Sequence, residues 1–289
     1  MKRILIIPFL LLSVCLIAGE PHPYYTSPEM PNALHYLPAP PQNNEMRFAY
    51  DTAQYNWGKR MRSTPRGEKA RLDAEYSIDR MAAVFSPVMG ITISEKNTPQ
   101  IWKLLVDATK TADFACDSAK ITYMRKRPYM VFHEPTLMPE DEEPLSHNGS
   151  YPSGHTTLGW TTALILCEIN PAAQDALLKE GFEYGQSRVI AGFHWQSDVD
   201  AARVVASAAF ARLHTSKAYL KQLKKAQREF KKKKKKNYHP HLHECGFFSI
   251  AKSEVAGGEE QEEEPRCVAD RHRIFYYFTH TGFIGVILI

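Results

Sequence analysis

Apolar residues recur along this chain at helical spacing, and no segment of the main body sustains the two-residue alternation of a half-buried strand. The clearest run follows Thr98-Pro99, where Ile101, Leu104, Leu105, Ala108, Ala112, Ala115 and Ala119 trace one face. A threonine before a proline marks a helix start, because the hydroxyl can cap free amides and proline suits the first helical position. Thr64-Pro65 repeats that signal, and Ala70 to Phe85 then mixes charged and apolar residues at helical spacing. Further helices are predicted over Gly154 to Ile169, Pro171 to Arg188, Gln196 to Leu213 and Lys217 to Phe230. The ring of Pro128 pushes Arg127 out of the helical region, so the helix carrying Ala119 must end before it. Pro128 to Tyr151 reads as a long connection, with Pro135, Pro139, Pro144 and the acidic run Glu140 to Glu143. The pattern predicts an all-α fold, one multi-helix domain spanning residues 20–236.

The two ends differ from this body. Glu20 to Gln42 holds Pro21, Pro23, Pro28, Pro31, Pro38, Pro40 and Pro41, which excludes regular helix and inner strand. It reads as an extended arm laid over the domain or as a loose leader, and as a candidate surface for a partner subunit in a homo-oligomer. Before it, Lys2 and Arg3 precede an apolar run from Ile4 to Ala18, too short for a comfortable membrane span. Residues 1–19 are therefore expected to be a signal peptide, which makes the protein periplasmic or secreted. Cys15 closes a poor lipobox, because Val14 is not small. Six lysines, Lys231 to Lys236, open a tail with no consistent period. Residues 237–289 are expected to lie outside the core, without fixed structure. Within them, His239, His241, His243 and Cys245 are too tightly spaced, with no second ligand pair at a familiar distance, to argue for zinc.

Composition adds limits. Among 289 residues, 44% are hydrophobic and 24% charged, ordinary for a globular domain. The net charge is +4, from 36 basic and 32 acidic residues; setting aside the six-lysine run leaves 30 against 32. The basic excess is thus local, which argues against a distributed nucleic-acid groove. No stretch of the main body is apolar enough for stable membrane insertion. Cys116 and Cys167 are the only cysteines there, either a disulfide or two small buried thiols.

Three short blocks carry chemistry. Lys120 is followed, after six residues, by Arg127-Pro128; then comes Gly149-Ser150-Tyr151-Pro152-Ser153-Gly154-His155-Thr156; then Ser187-Arg188, with His194 after five residues and Asp198 after three more. Lys120, Arg127 and Arg188 are three cations able to converge on one anion, and guanidinium forks match phosphate oxygens. Pro152-Ser153-Gly154 opens a helix, whose free amides and dipole favour an anion; Gly154 permits close approach and Ser153 offers a hydroxyl. His194 and Asp198 are one helical turn apart, so the carboxylate can orient the imidazole and leave its other nitrogen free to attack phosphorus. His155, from another helix, can protonate the departing oxygen. Taken singly, each block is more often structural: a helix start, a hydrogen-bonded pair, solvated surface. All three in order fill every role.

These blocks resemble the pattern Lys-x6-Arg-Pro, Pro-Ser-Gly-His and Ser-Arg-x5-His-x3-Asp of the superfamily of type 2 phosphatidic acid phosphatases and vanadium-dependent haloperoxidases. The stretch Gly149 to Thr156 looks like the signature of class A bacterial nonspecific acid phosphatases. The resemblance covers about residues 30 to 232. It implies an all-helical fold, activity on small phosphate monoesters (nucleotides, sugar phosphates, aryl phosphates) and no metal or other cofactor. It also implies His194 as nucleophile and His155 as general acid. A haloperoxidase would use the same pocket for vanadate, but little sequence precedes Lys120 to build the larger scaffold of such enzymes. A membrane lipid phosphatase would need long apolar helices, and a vestigial binding protein would not need His194, Asp198 and His155 intact.

Overall fold

Prolines at the first position begin three of the helices that bring the site together. The computed structural model of the protein describes residues 21–237 and, in the tail, the backbone of three short strands. The helices are α1 (Met46–Met61), α2 (Pro65–Asp73), α3 (Ile78–Met89), α4 (Pro99–Asp113), α5 (Asp117–Tyr123) and α6 (Pro128–Phe132). They continue with α7 (Glu142–Ser146), α8 (Gly154–Ile169), α9 (Gln174–Ala191), α10 (Gln196–Leu213) and α11 (Lys217–Asn237). Residues 21–237 contain no strand, so this domain is all-α as expected.

Local chemistry moves some boundaries. The expected helix over Ala70 to Phe85 is two helices, because Ser77 caps a new start by accepting from the Arg80 amide at 3.0 Å. Thr64 and Thr98 do hold the cap positions, yet their hydroxyls donate backwards, to the carbonyls of Met61 (2.6 Å) and Ser94 (3.1 Å). Proline geometry, not hydroxyl capping, fixes those starts. The Pro128 to Tyr151 connection contains α6 and α7.

α8 lies at the centre, packed against α9, α10 and α4, with α11 lying over α4 and α8. Leu104, Leu105, Ile165, Leu166, Leu177 and Tyr219 meet there without solvent exposure. The proline-rich arm is laid over this body: the amides of His22 and Tyr24 donate to Asp107 and Thr111, each at 2.9 Å. Met30 and Ala33 bury against Ala112, Ala115 and Val205. Cys116 is buried with its sulfur 3.3 Å from the Thr157 hydroxyl, and Cys167 lies ten residues farther along α8. Ten residues of helix span about 15 Å, well beyond the roughly 7 Å limit between α-carbons of a disulfide. Both thiols are free.

In the tail, β1 (Val268–Ala269), β2 (Ile274–Thr279) and β3 (Gly282–Leu288) pair antiparallel in that order, an element the lack of periodicity there does not anticipate. The signal segment over 1–19, Cys15, and the His239, His241, His243 and Cys245 group lie outside the described residues. Among the described residues no helix is long and apolar enough to cross a membrane.

Candidate active site

One cavity of about 510 Å³ gathers the sequence blocks: Lys120, Arg127, Gly154, His155, Arg188 and His194 all line it. Its wall adds Glu75, Tyr76, Asp113, Asp117, Met138 and Asp141. Each cation reaches it by a different local device. Lys120 projects from α5, its ammonium donating to the Gly149 carbonyl at 2.8 Å. Arg127 is extended, as its place before Pro128 requires, with φ −79° and ψ 158°. Its Nε donates to the Leu145 carbonyl at 2.9 Å. Arg188 projects from the last turn of α9, with its guanidinium over the Phe193 ring at 4.3 Å. Burial presses down the pKa values of all three, to about 10 for Arg188.

His194 differs from the sequence expectation in one respect. It does not ride on a helix with Asp198. α9 stops at Gly192, whose φ of +92° is glycine territory, and Phe193 and His194 form the turn that follows. Asp198 sits in the first turn of α10, where its Oδ2 also accepts from the Trp195 amide at 2.9 Å. The pair still meets, with His194 Nδ1 3.3 Å from Asp198 Oδ2, so helix capping and imidazole positioning share one carboxylate. The other ring nitrogen, Nε2, lies 3.0 Å from an Arg127 nitrogen. Arginine can only donate, so Nε2 carries the lone pair and Nδ1 carries the proton. That is the tautomer a nucleophile needs. Burial and the Arg127 charge push the His194 pKa well below its ordinary value, so the ring stays neutral.

Asp198 is wholly buried. Burial alone would raise its pKa, but the Arg125 guanidinium and the bonds from His194 and Ser150 hold it well below the usual carboxylate range. Arg125 Nη1 meets Asp198 at 2.6 Å and Nη2 meets Asp51 at 2.7 Å. Ser150 donates to Asp198 and approaches His194 Nδ1 at 3.2 Å.

His155 has the opposite arrangement. Its Nε2 lies 2.7 Å from the Asp73 carbonyl, which only accepts, so the proton is on Nε2. Nδ1 is buried without a partner, and the ring stacks on Tyr184 at 4.7 Å. Burial, then the Arg188 charge, lower its pKa well below the ordinary value. The Ala74 carbonyl accepts from Arg188 at 3.3 Å. Both acceptors belong to the free carbonyls at the negative end of α2, which favour positive charge on His155 and Arg188. Ser187, in the third block, serves this end: it donates to the Asp73 carboxylate at 2.7 Å.

Ser153 stands apart from the other phosphate candidates. It is fully buried, does not line the cavity, and its hydroxyl oxygen caps α8 by accepting from the Thr156 amide at 3.3 Å. Gly154 does line the cavity, and a β-carbon there would stand 3.0 Å from Asp113 Oδ1. Sequence reasoning missed Arg125, Asp51, Ser150, Asp73 and Asp113. Ser150 lay inside a quoted block, and Arg125 inside the span between Lys120 and Arg127. Asp51 and Asp73 are acids on otherwise ordinary helical stretches and gave no signal.

A buried imidazole whose lone pair meets Arg127, in a cavity that Lys120, Arg188 and a second imidazole also line, suits an enzyme that handles phosphate. The PAP2 superfamily profile matches residues 102–222, which include every residue of the three blocks. The chain is 48% identical to the non-specific acid phosphatase of Providencia stuartii over 76% of this chain and 89% of that one. It is 44% identical to the non-specific acid phosphatase of Salmonella typhimurium, over 76% of this chain and 90% of the other. At 32% identity it also matches an acid phosphatase of Zymomonas mobilis, over 69% and 75% of the two chains. The chain belongs to the non-specific acid phosphatases of the PAP2 superfamily, and is a phosphoric-ester hydrolase.

Proposed function

We propose that this acid phosphatase cleaves small phosphate monoesters through a phosphohistidine at His194, needs no metal, and works after export from the cytoplasm. The observation that carries the reading is the His194 tautomer: lone pair on Nε2 in the cavity, proton on Nδ1 toward Asp198. The Nε2 lone pair attacks phosphorus as the bond from phosphorus to the ester oxygen breaks. Arg127 turns from Nε2 onto phosphate oxygens, and with Lys120 and Arg188 it balances charge on the equatorial oxygens. The positive end of α8 at Gly154 adds to that field.

The ester oxygen needs a proton, and Nδ1 of His155 supplies it. In the free site His155 is neutral, because it is buried near Arg188. A bound phosphate dianion offsets that repulsion, so substrate binding raises the affinity of Nδ1 for a proton. Acidic pH favours the same state. The alcohol leaves, water enters, and neutral His155 takes a proton from it as its oxygen attacks phosphorus. The bond from Nε2 to phosphorus breaks, phosphate departs, and His194 regains its lone pair. The acids on the cavity wall favour a neutral leaving group, such as a nucleoside, a sugar or a phenol. Export rests on the sequence of residues 1–19.

The test is hydrolysis of p-nitrophenyl phosphate by the whole protein, with EDTA present, at acidic and neutral pH. The reading expects activity that survives EDTA, falls with orthovanadate and disappears in His194→Ala. Loss with EDTA and recovery with an added divalent metal would overturn the metal-free part.

A further inference from the structure

The lysine-rich end of the helical domain has no part in this chemistry, yet its charge is organised. From Lys217 to Lys235, α11 has eleven exposed positions. Nine are lysine or arginine; the others are Ala218 and Leu220, and none is acidic. The one acid in α11, Glu229, turns inward and accepts from the amides of Gln100 and Ile101 at 3.0 and 2.9 Å, at the start of α4. Among the described residues no carboxylate pairs with any cation of α11. Over its full length α11 carries eleven basic residues and one acid, whereas residues 21–216 have 19 basic against 22 acidic. Among the described residues, the positive excess therefore lies on this one helix.

Like charges three and four residues apart repel along a helix. An apolar inner face holds this one in place nonetheless: Tyr219, Leu223, Ala226 and Phe230 are buried in the main core. The outer face is therefore a strip about 27 Å long from Lys217 to Lys235, from the rise of 1.5 Å per residue, and its stretch from Tyr219 to Phe230 is anchored by that inner face. Lys225, Arg228, Lys232 and Lys233 also line a cleft of about 590 Å³ beside Gln100, together with Glu229, whose carboxylate is taken up by the α4 amides. The cleft lies at the start of α4, and Tyr219 and Gln227 reach Glu168 near the end of α8. Asp113 and Gly154, in the active-site cavity, are at the opposite ends of those helices, about 20 Å away.

We infer that the outer face of α11 docks on an anionic lipid surface and leaves the active-site cavity open to solution. A straight strip of cations on a convex helix matches a plane of phosphate headgroups, and the cleft takes a single headgroup. The strip exposes no aromatic side chain, so it lacks the stacking platform of a single-strand nucleic-acid site. The contact is peripheral and electrostatic, and salt weakens it.

The test is co-sedimentation of the whole chain with vesicles of phosphatidylcholine containing phosphatidylglycerol, against phosphatidylcholine alone. The whole chain is required because residues 259–264 are mostly glutamate, a competing counter-charge. Phosphatidylglycerol is a phosphodiester, so capture of a monoester by the active site does not contribute. Expected is binding to the anionic vesicles only, abolished by high salt. The combined change Lys224→Glu, Lys225→Glu, Arg228→Glu and Lys232→Glu should weaken it by at least about tenfold, while phosphatase activity persists. A milder variant with glutamine at the four positions guards against misfolding and should fall between. No binding by the native protein, equal binding by a folded variant, or binding to DNA but not to vesicles would each overturn the inference.

Discussion

Changing Asp198 to Asn is the most searching perturbation of the site, because it removes one charge and almost no volume. Asp198 has two oxygens and four donors: Arg125 on Oδ1, and Trp195, Ser150 and His194 on Oδ2. An amide must point its NH2 at one of those sets, so a donor faces a donor whichever way it turns. If it faces Arg125, a buried guanidinium loses a charge partner; if it faces His194, the imidazole must move its proton to Nε2. A proton there collides with the donors of Arg127 and removes the nucleophilic lone pair. The comparable loss of an orienting carboxylate beside a catalytic histidine costs on the order of 10⁴ in rate, or about 5 kcal/mol at 1.36 kcal/mol per decade. Breaking the buried pair with Arg125 costs stability as well, about 3–5 kcal/mol. At roughly 2–4 °C per kcal/mol for a domain of this size, the midpoint of thermal unfolding should fall on the order of 10 °C. The assay is kcat on p-nitrophenyl phosphate across pH, at a temperature where circular dichroism finds the variant folded. A folded Asp198→Asn protein with kcat within tenfold of the parent would refute the assignment.

Other consequences can be checked alongside. Arg125→Met leaves Asp51 and Asp198 buried without their cation and should cost about 3–5 kcal/mol at neutral pH; the deficit should shrink in acid, because Asp198 loses the charge that holds its pKa down and protonates more readily, and urea titrations at two pH values measure it. His155 and His194 are held neutral, with folded pKa values below the unfolded value near 6.5. Below that pH the unfolded chain binds more protons than the native one, so stability falls as pH drops; a bound phosphate or vanadate should reduce the slope in calorimetric scans. Gly149→Ala puts a β-carbon against the Lys120 carbonyl and within 3.2 Å of the Met124 backbone; an overpacking cost of about 1–3 kcal/mol and a rise in KM are expected from unfolding curves and steady-state kinetics. Asp113 is a partly buried carboxylate facing the same cavity as Lys120; Asp113→Asn should tighten inhibition by vanadate several-fold at neutral pH, and an unchanged inhibition constant would deny it a role in the field.

How far the sequence reached depends on the range of the interactions involved. The face from Ile101 to Ala119 was readable because burial imposes a period, and every residue of it is in the core or against the arm. The three blocks were readable by residue type and spacing, and the structure brings Lys120, Arg127, Gly154, His155, Arg188 and His194 to one cavity. The Ala70 to Phe85 break was missed because Ser77 acts as a cap only once Arg80 folds back to it. Placing His194 on a helix assumed that spacing alone decides the local form; Gly192 and the capping role of Asp198 decide it instead. Ser153 was assigned by type to the phosphate, and its burial behind Gly154 depends on how α8 meets α10. Asp51 and Arg125 are 74 residues apart, and no local pattern joins them.

The proposed mechanism requires a covalent bond between phosphorus and Nε2 of His194. The direct measurement is rapid quenching of the protein during turnover of a substrate labelled with ³²P, followed by peptide mapping. Label is expected on the peptide carrying His194, stable in alkali and lost in acid, and absent from His194→Ala. A protein that turns over substrate in a rapid-quench experiment without acquiring label, or one whose His194→Ala variant is labelled equally, would contradict it.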